Sequence, residues 1–102
     1  MRDSPQWPFV DAPDRAAFTT VHIIERGAPV LLVTHEIDGD WQFLPGTAVA
    51  RDDMKVVCLS HLLDRDASVG ELADLPRGWQ AEREAQDKPW VRSPLPPADA
   101  ET

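Results

Sequence analysis

Asp38-Gly39 lies between two apolar runs, Val30–Ile37 and Trp41–Leu44, and this dipeptide is the strongest short hairpin signal a sequence carries. Both residue types tolerate positive φ, so a tight two-residue turn is expected there. Residues 41–44 then alternate. Trp41 and Phe43 go to one face, and Gln42 and Leu44 to the other. The preceding run is apolar on both faces at its start, as a central strand would be. One segment thus sets a turn, a strand direction and two core aromatics.

The rest of the chain is read outward from this hairpin. Residues 1–17 contain Pro5, Pro8 and Pro13 without periodicity and read as an extended arm. Its aromatics Trp7 and Phe9 are expected to pack back on the domain. Phe18 to Arg26 is rich in β-branched residues and reads as a strand, broken at Gly27-Ala28-Pro29. Pro45-Gly46 ends the hairpin's second strand, because proline cannot donate to a ladder. Lys55 to Ser60 reads as another buried strand, with Cys58 in an apolar setting. Leu59, Leu62 and Leu63 have helical spacing, which places a helix over Ser60–Asp66. Ser68 and Glu71 form a capping-box pattern for a second short helix carrying Val69, Leu72 and Leu75. Pro76 and Gly78 stop it. Trp79 to Arg83 alternates again, and a turn at Gln86-Asp87-Lys88 suggests a C-terminal hairpin in which Trp79 and Trp90 meet. Residues 93–102 read as a disordered tail. The expected architecture is a single α+β domain over 18–92. It has a small, mostly antiparallel sheet, one or two short helices at about 60–75, and the C-terminal hairpin.

Charge narrows the function classes. The chain has 102 residues and a net charge of −8. Phosphate backbones and anionic membrane surfaces would be repelled, so neither is an expected partner. From Glu36 to Asp74 there are nine acidic residues against three basic ones. Asp52, Asp53, Asp64 and Asp66 are the candidate acidic patch for a basic protein partner. A single cysteine permits no internal disulfide. The N-terminus lacks a signal-peptide h-region, and a cytoplasmic setting is expected.

Candidate chemistry is sparse. Cys58 and His61 make a C-x-x-H pair, but no second close pair exists to complete a zinc tetrad, so no metal is expected. Cys58 has no basic neighbours to activate it as a nucleophile. Glu36, Asp38 and Asp40 alternate near the turn without the order of a calcium loop. The five glycines are single and scattered, so no phosphate cradle is present. Trp41, Phe43, Trp79 and Trp90 read as core aromatics rather than a stacking box. No cofactor is expected. His35 and His61 remain as the site of an alternative reading, a small enzyme or ligand-binding domain.

Trp41-x-Phe43, Gly46, the helix ending at Asp66, Ser68 and Leu75-Pro76-Arg77-Gly78 together resemble a bacterial domain family, the immunity protein 33 type of polymorphic-toxin immunity proteins. The likeness covers about residues 30–80. Over nearly the whole chain, Trp7-Pro8-Phe9, Val33 to Phe43 and Ala73 to Trp79 resemble small stand-alone bacterial proteins of unassigned function. The resemblance implies a non-enzymatic inhibitor of a basic toxin or enzyme, and it brings no catalytic residues.

Overall fold

The computed structural model describes residues 7–96. Six strands form one sheet among them: β1 (Ala16–Thr20), β2 (Leu32–His35), β3 (Trp41–Leu44), β4 (Met54–Cys58), β5 (Trp79–Glu82) and β6 (Val91–Pro94). Their order is β4-β1-β3-β2-β5-β6. Only β1 and β3 run parallel; every other neighbouring pair is antiparallel. Two short helices, α1 (Val21–Ile24) and α2 (Leu59–Arg65), and 3-10 segments at Arg51–Asp53 and Ala67–Leu72 complete the fold. This is the expected α+β class with a small, mostly antiparallel sheet.

Alternation along the strands divides the sheet into two faces. Ala17, Thr19, Val33, Trp41, Phe43 and Ala81 share the buried face, with Leu59 and Leu62 of α2 and Val69, Leu72 and Leu75 closing the same core. Trp41 is its centre. Phe9 meets it edge-on with ring centroids 5.1 Å apart, and the His35 ring stacks on it at 3.8 Å. The arm therefore does pack back, through Phe9. On the other face one row runs across all six strands: Val56, Phe18, Gln42, Thr34, Gln80 and Ser93. Its members are half-buried or exposed, apart from Thr34.

The hairpin forms, but its turn is longer than expected. Glu36 N–H donates to the Asp40 carbonyl at 2.8 Å, leaving Ile37, Asp38 and Gly39 as a three-residue loop. Gly39 alone takes positive φ, at 99°. Asp38 instead uses its carboxylate to accept from the Asp40 N–H at 3.1 Å. Three-residue loops that place glycine in the left-handed position are the next commonest hairpin solution.

Other boundaries shift for identifiable reasons. The β-branched run after Phe18 leaves the sheet at Thr20 and coils into α1, where Ile23 is buried. Gly27, at φ 74°, and the Ala28 N–H bonded to the His22 carbonyl close that turn. Packing overrides strand propensity here. β4 is an edge strand and not a buried one. Val56 is 60% exposed and Cys58 is exposed, because sheet order rather than apolar content decides which strand is central. Ser68 is not the N-cap of the second helical segment. Asp66 is, accepting from the Ser68 N–H at 3.1 Å. Trp79 pairs with Pro94, while Trp90 lies beyond the Glu82–Val91 pair, so the two indoles sit at opposite ends of the C-terminal hairpin. The sheet begins at Ala16, inside the expected arm, and runs to Pro94, inside the expected tail. Residues 97–102 of that tail lie outside the described residues.

Candidate interaction surface

Two polar arrangements stand out, one buried and one at the surface. The buried one is built on Arg83. Alternation along β5 puts Arg83 on the side of Ala81, toward the core. Its side chain is 2% exposed and pairs with Asp66, 7% exposed, at 2.9 Å. Nε donates to the Val30 carbonyl at 3.0 Å, and Nη1 to the Ser68 hydroxyl and the Gln86 carbonyl. The Ser68 hydroxyl in turn donates to Asp66. Trp90 covers the guanidinium at 4.0 Å from its ring centroid. Four of the five guanidinium donors thus have acceptors. This cluster ties the 3-10 segment, β5 and the 83–90 loop together. It is a structural clasp with its hydrogen-bonding capacity nearly used up.

That placement corrects one member of the expected acidic patch. Asp66 is buried and bonded to Arg83 and Ser68, so it has no carboxylate to offer a partner. Nothing in its sequence position separated it from Asp64. The signal lay in Arg83, a cation at an inward strand position that requires a buried anion. Asp52 and Asp64 are exposed. Asp53 is half-buried, accepts from the Ala50 N–H at 3.1 Å and lies 4.0 Å from His22.

The two candidate histidines have different settings. His35 Nδ1 is 2.7 Å from the Leu75 carbonyl, and its ring lies flat on Trp41. It is fastened into the core wall. His61 is exposed on α2. Among the described residues no group of three or more His, Cys, Asp and Glu side chains is placed to hold a metal ion. Nor is any helix among them long and apolar enough to cross a membrane.

The surface arrangement lies at the tip of the first hairpin. A cleft of about 650 Å³ is bounded by Phe18, Ile37, Met54 and Leu95 on its apolar side and by Glu36, Asp38 and Asp40 on its acidic side. Ile37 is 78% exposed and lines this cleft beside the acidic side chains. The tip is held rigidly. Arg15 donates to the Gly39 carbonyl and to Asp40, each at 3.2 Å. Glu36 accepts from the Thr34 hydroxyl at 2.8 Å. On the far side, the Arg77 guanidinium lies so close that a Cβ on Gly39 would stand 3.1 Å from it. A second cleft, of about 860 Å³, opens at the opposite end of the strands over Leu32, Leu44, Val49 and Val91, with Glu82, Glu84 and Lys88 at its margin. Sequence reasoning treated Ile37 as part of a strand and so missed it. The extra loop residue is what turns it out to solvent.

Compared with protein families, curated proteins and solved structures, the chain has no significant match.

Proposed function

We propose that the chain is a non-enzymatic acidic interaction protein that binds a basic protein partner at the hairpin-tip cleft. The observation that carries this reading is the pairing of exposed Ile37 with the carboxylates of Glu36 and Asp38 beside Phe18, Met54 and Leu95. An apolar centre with a charged margin is the anatomy of a protein interface. Asp40 is already paired with Arg15, so Glu36 and Asp38 are the carboxylates assigned to a partner's cations. Asp52, Asp53 and Asp64 lie outside the cleft lining and act at longer range, where exposed charges speed encounter more than they hold the complex. The narrower role, an immunity-type inhibitor that occludes a basic toxin or enzyme cleft, rests on the sequence resemblance.

Affinity capture from the native cell with the wild-type chain and with Ile37→Asp, read by mass spectrometry, tests this. A basic protein retained by the first and lost by the second is the expected result. Retention of nothing, or equal retention by both, would overturn the reading. With that partner in hand, reversing Asp52, Asp53 and Asp64 to Lys should slow association and leave dissociation nearly unchanged. The wild-type rate should fall steeply as ionic strength rises from about 0.01 to about 0.15 M, because the screening length shortens from about 30 to about 8 Å.

A further inference from the structure

A second row crosses the outer face of the sheet, at the end of the strands away from the hairpin tip. Pairing sets Leu44 beside Leu32, Leu32 beside Glu82, and Glu82 beside Val91, across four neighbouring strands. Directly opposed residues have Cβ atoms about 4.5–5.5 Å apart, so this row makes one surface. All four residues line the cleft of about 860 Å³ at that end. Three of the four positions are aliphatic and one is an acid. Two residues on, the same strand period brings Glu84 to this side, where it lines the cleft as well. Both walls are fixed. On one side the Gly46 backbone lies so close to Leu31 that a Cβ would stand 2.8 Å from its Cδ1. On the other, Arg83 donates to the Gln86 carbonyl at 3.1 Å and the Lys88 N–H to the Ala85 carbonyl at 3.0 Å.

We infer that this cleft is a small-molecule site for an aliphatic amine. The alkyl body lies on Leu32, Leu44 and Val91, and the ammonium meets the carboxylates of Glu82 and Glu84. Size, preorganisation and charge support this occupant. The volume falls within the roughly 300–1,000 Å³ of small-molecule sites, which are apolar with a few polar groups that fix orientation. Walls already held in place do not have to be ordered on binding. The charge at the margin is unequal. Arg83 lines the cleft, but Asp66 already matches its cation. Lys88 is then set alone against two carboxylates, and among the described residues neither Glu82 nor Glu84 has an ion-pair partner. An anionic head group would meet this excess of like charge, and a neutral one would leave both carboxylates unmatched. An alkyl chain on the aliphatic floor displaces water beside Glu82 and so strengthens its attraction for an ammonium. The site lies apart from the hairpin-tip cleft and does not rest on that reading.

Titration of the full chain with n-hexylammonium at neutral pH, read by amide and methyl NMR shifts, tests the site. Saturable shifts at Leu32, Leu44, Val49 and Val91 are expected, with half-saturation at or below about 5 mM for a ligand this small. Hexanoate and hexan-1-ol, of equal length, should bind at least about tenfold more weakly, since neither makes a charge-assisted bond to a carboxylate. n-Butylammonium has the length of a lysine side chain. It should also bind about tenfold more weakly, having two fewer CH₂ groups to bury. The double variant Glu82→Gln, Glu84→Gln should lower hexylammonium affinity about tenfold, to the level of hexan-1-ol. Its affinity for hexan-1-ol should not change, which reads the integrity of the aliphatic floor. No saturable shift, or shifts centred on Ile37, would overturn the inference. Equal affinity for hexanoate or hexan-1-ol would do the same, as would undiminished hexylammonium binding in the double variant. Butylammonium binding as tightly as hexylammonium would also overturn it, by making the cleft a seat for a protein's lysine.

Discussion

The two faces of the sheet use the same strands to opposite ends. On the buried face β1, β2, β3 and β5 each contribute one or two side chains to a closed set: Ala17, Val33, Trp41, Phe43 and Ala81 against the leucines of α2 and the 3-10 segment. The other face carries Phe18, Gln42, Thr34, Gln80 and Ser93 in one row, and its two clefts have apolar floors with charged margins. Burial is concentrated on the first face, and exposure on the second. A residue's position on the two-residue strand period, more than its chemistry, therefore sets what its loss will cost. Arg83 makes the point: a cation on the buried side is as structural as a tryptophan.

The largest expected effect is at Trp41. Trp41→Ala removes a fully buried aromatic that touches Phe9, His35 and Phe43, and should cost about 3–5 kcal/mol in denaturant unfolding. A loss below about 1 kcal/mol would break the comparison, since the buried face would then not be the seat of stability. Arg83→Met should cost a similar amount, about 3–5 kcal/mol, because it leaves Asp66 buried without its cation. Adding Asp66→Leu to that variant should return much of the loss. A double-mutant cycle that is simply additive would show that the pair acts independently. Gly39→Ala comes next, at more than about 1 kcal/mol. It forces a side chain to φ 99° and crowds the Arg77 guanidinium. Gln42→Ala, on the other face of the same strand as Trp41, should stay within about 0.5 kcal/mol. Equal effects at Trp41 and Gln42 would erase the distinction between the faces.

Legibility in the sequence divides along a related line, between local and non-local order. The Trp41–Phe43 alternation, the Leu59–Leu62 spacing of α2 and the Val69–Leu72–Leu75 stripe are local periodicities, and all those residues are buried. Sheet order is not local. Nothing within Met54–Cys58 reveals that the strand lies at an edge, so its apolar content reads as burial. Val21–Ile24 fails for a similar reason: β-branched residues favour a strand, but Gly27 and the packing of Ile23 bend the chain after Thr20. The candidate surface was half legible. Glu36, Asp38 and Asp40 stand out by charge, whereas the exposure of Ile37 depends on one extra loop residue. Asp66 was indistinguishable from its acidic neighbours without its partner 17 positions away.

The one parallel pair has a consequence for how the chain is made. β1 sits inside the sheet between β4 and β3, yet it leaves the ribosome before either of them. Its antiparallel partner, β4, begins at Met54, 34 positions after Thr20. At about 5–20 residues per second, Phe18 and the Ala17–Thr19 face wait roughly a few seconds for their neighbours. The β2–β3 hairpin needs no such wait, because its strands are joined by a short loop and close within microseconds of emerging. Vectorial synthesis therefore favours a sheet that starts at the β2–β3 hairpin, takes up β1 and β4 next, and adds β5 and β6 last. Until β3 and β4 arrive, Phe9 and Phe18 are apolar side chains without their neighbours in the fold.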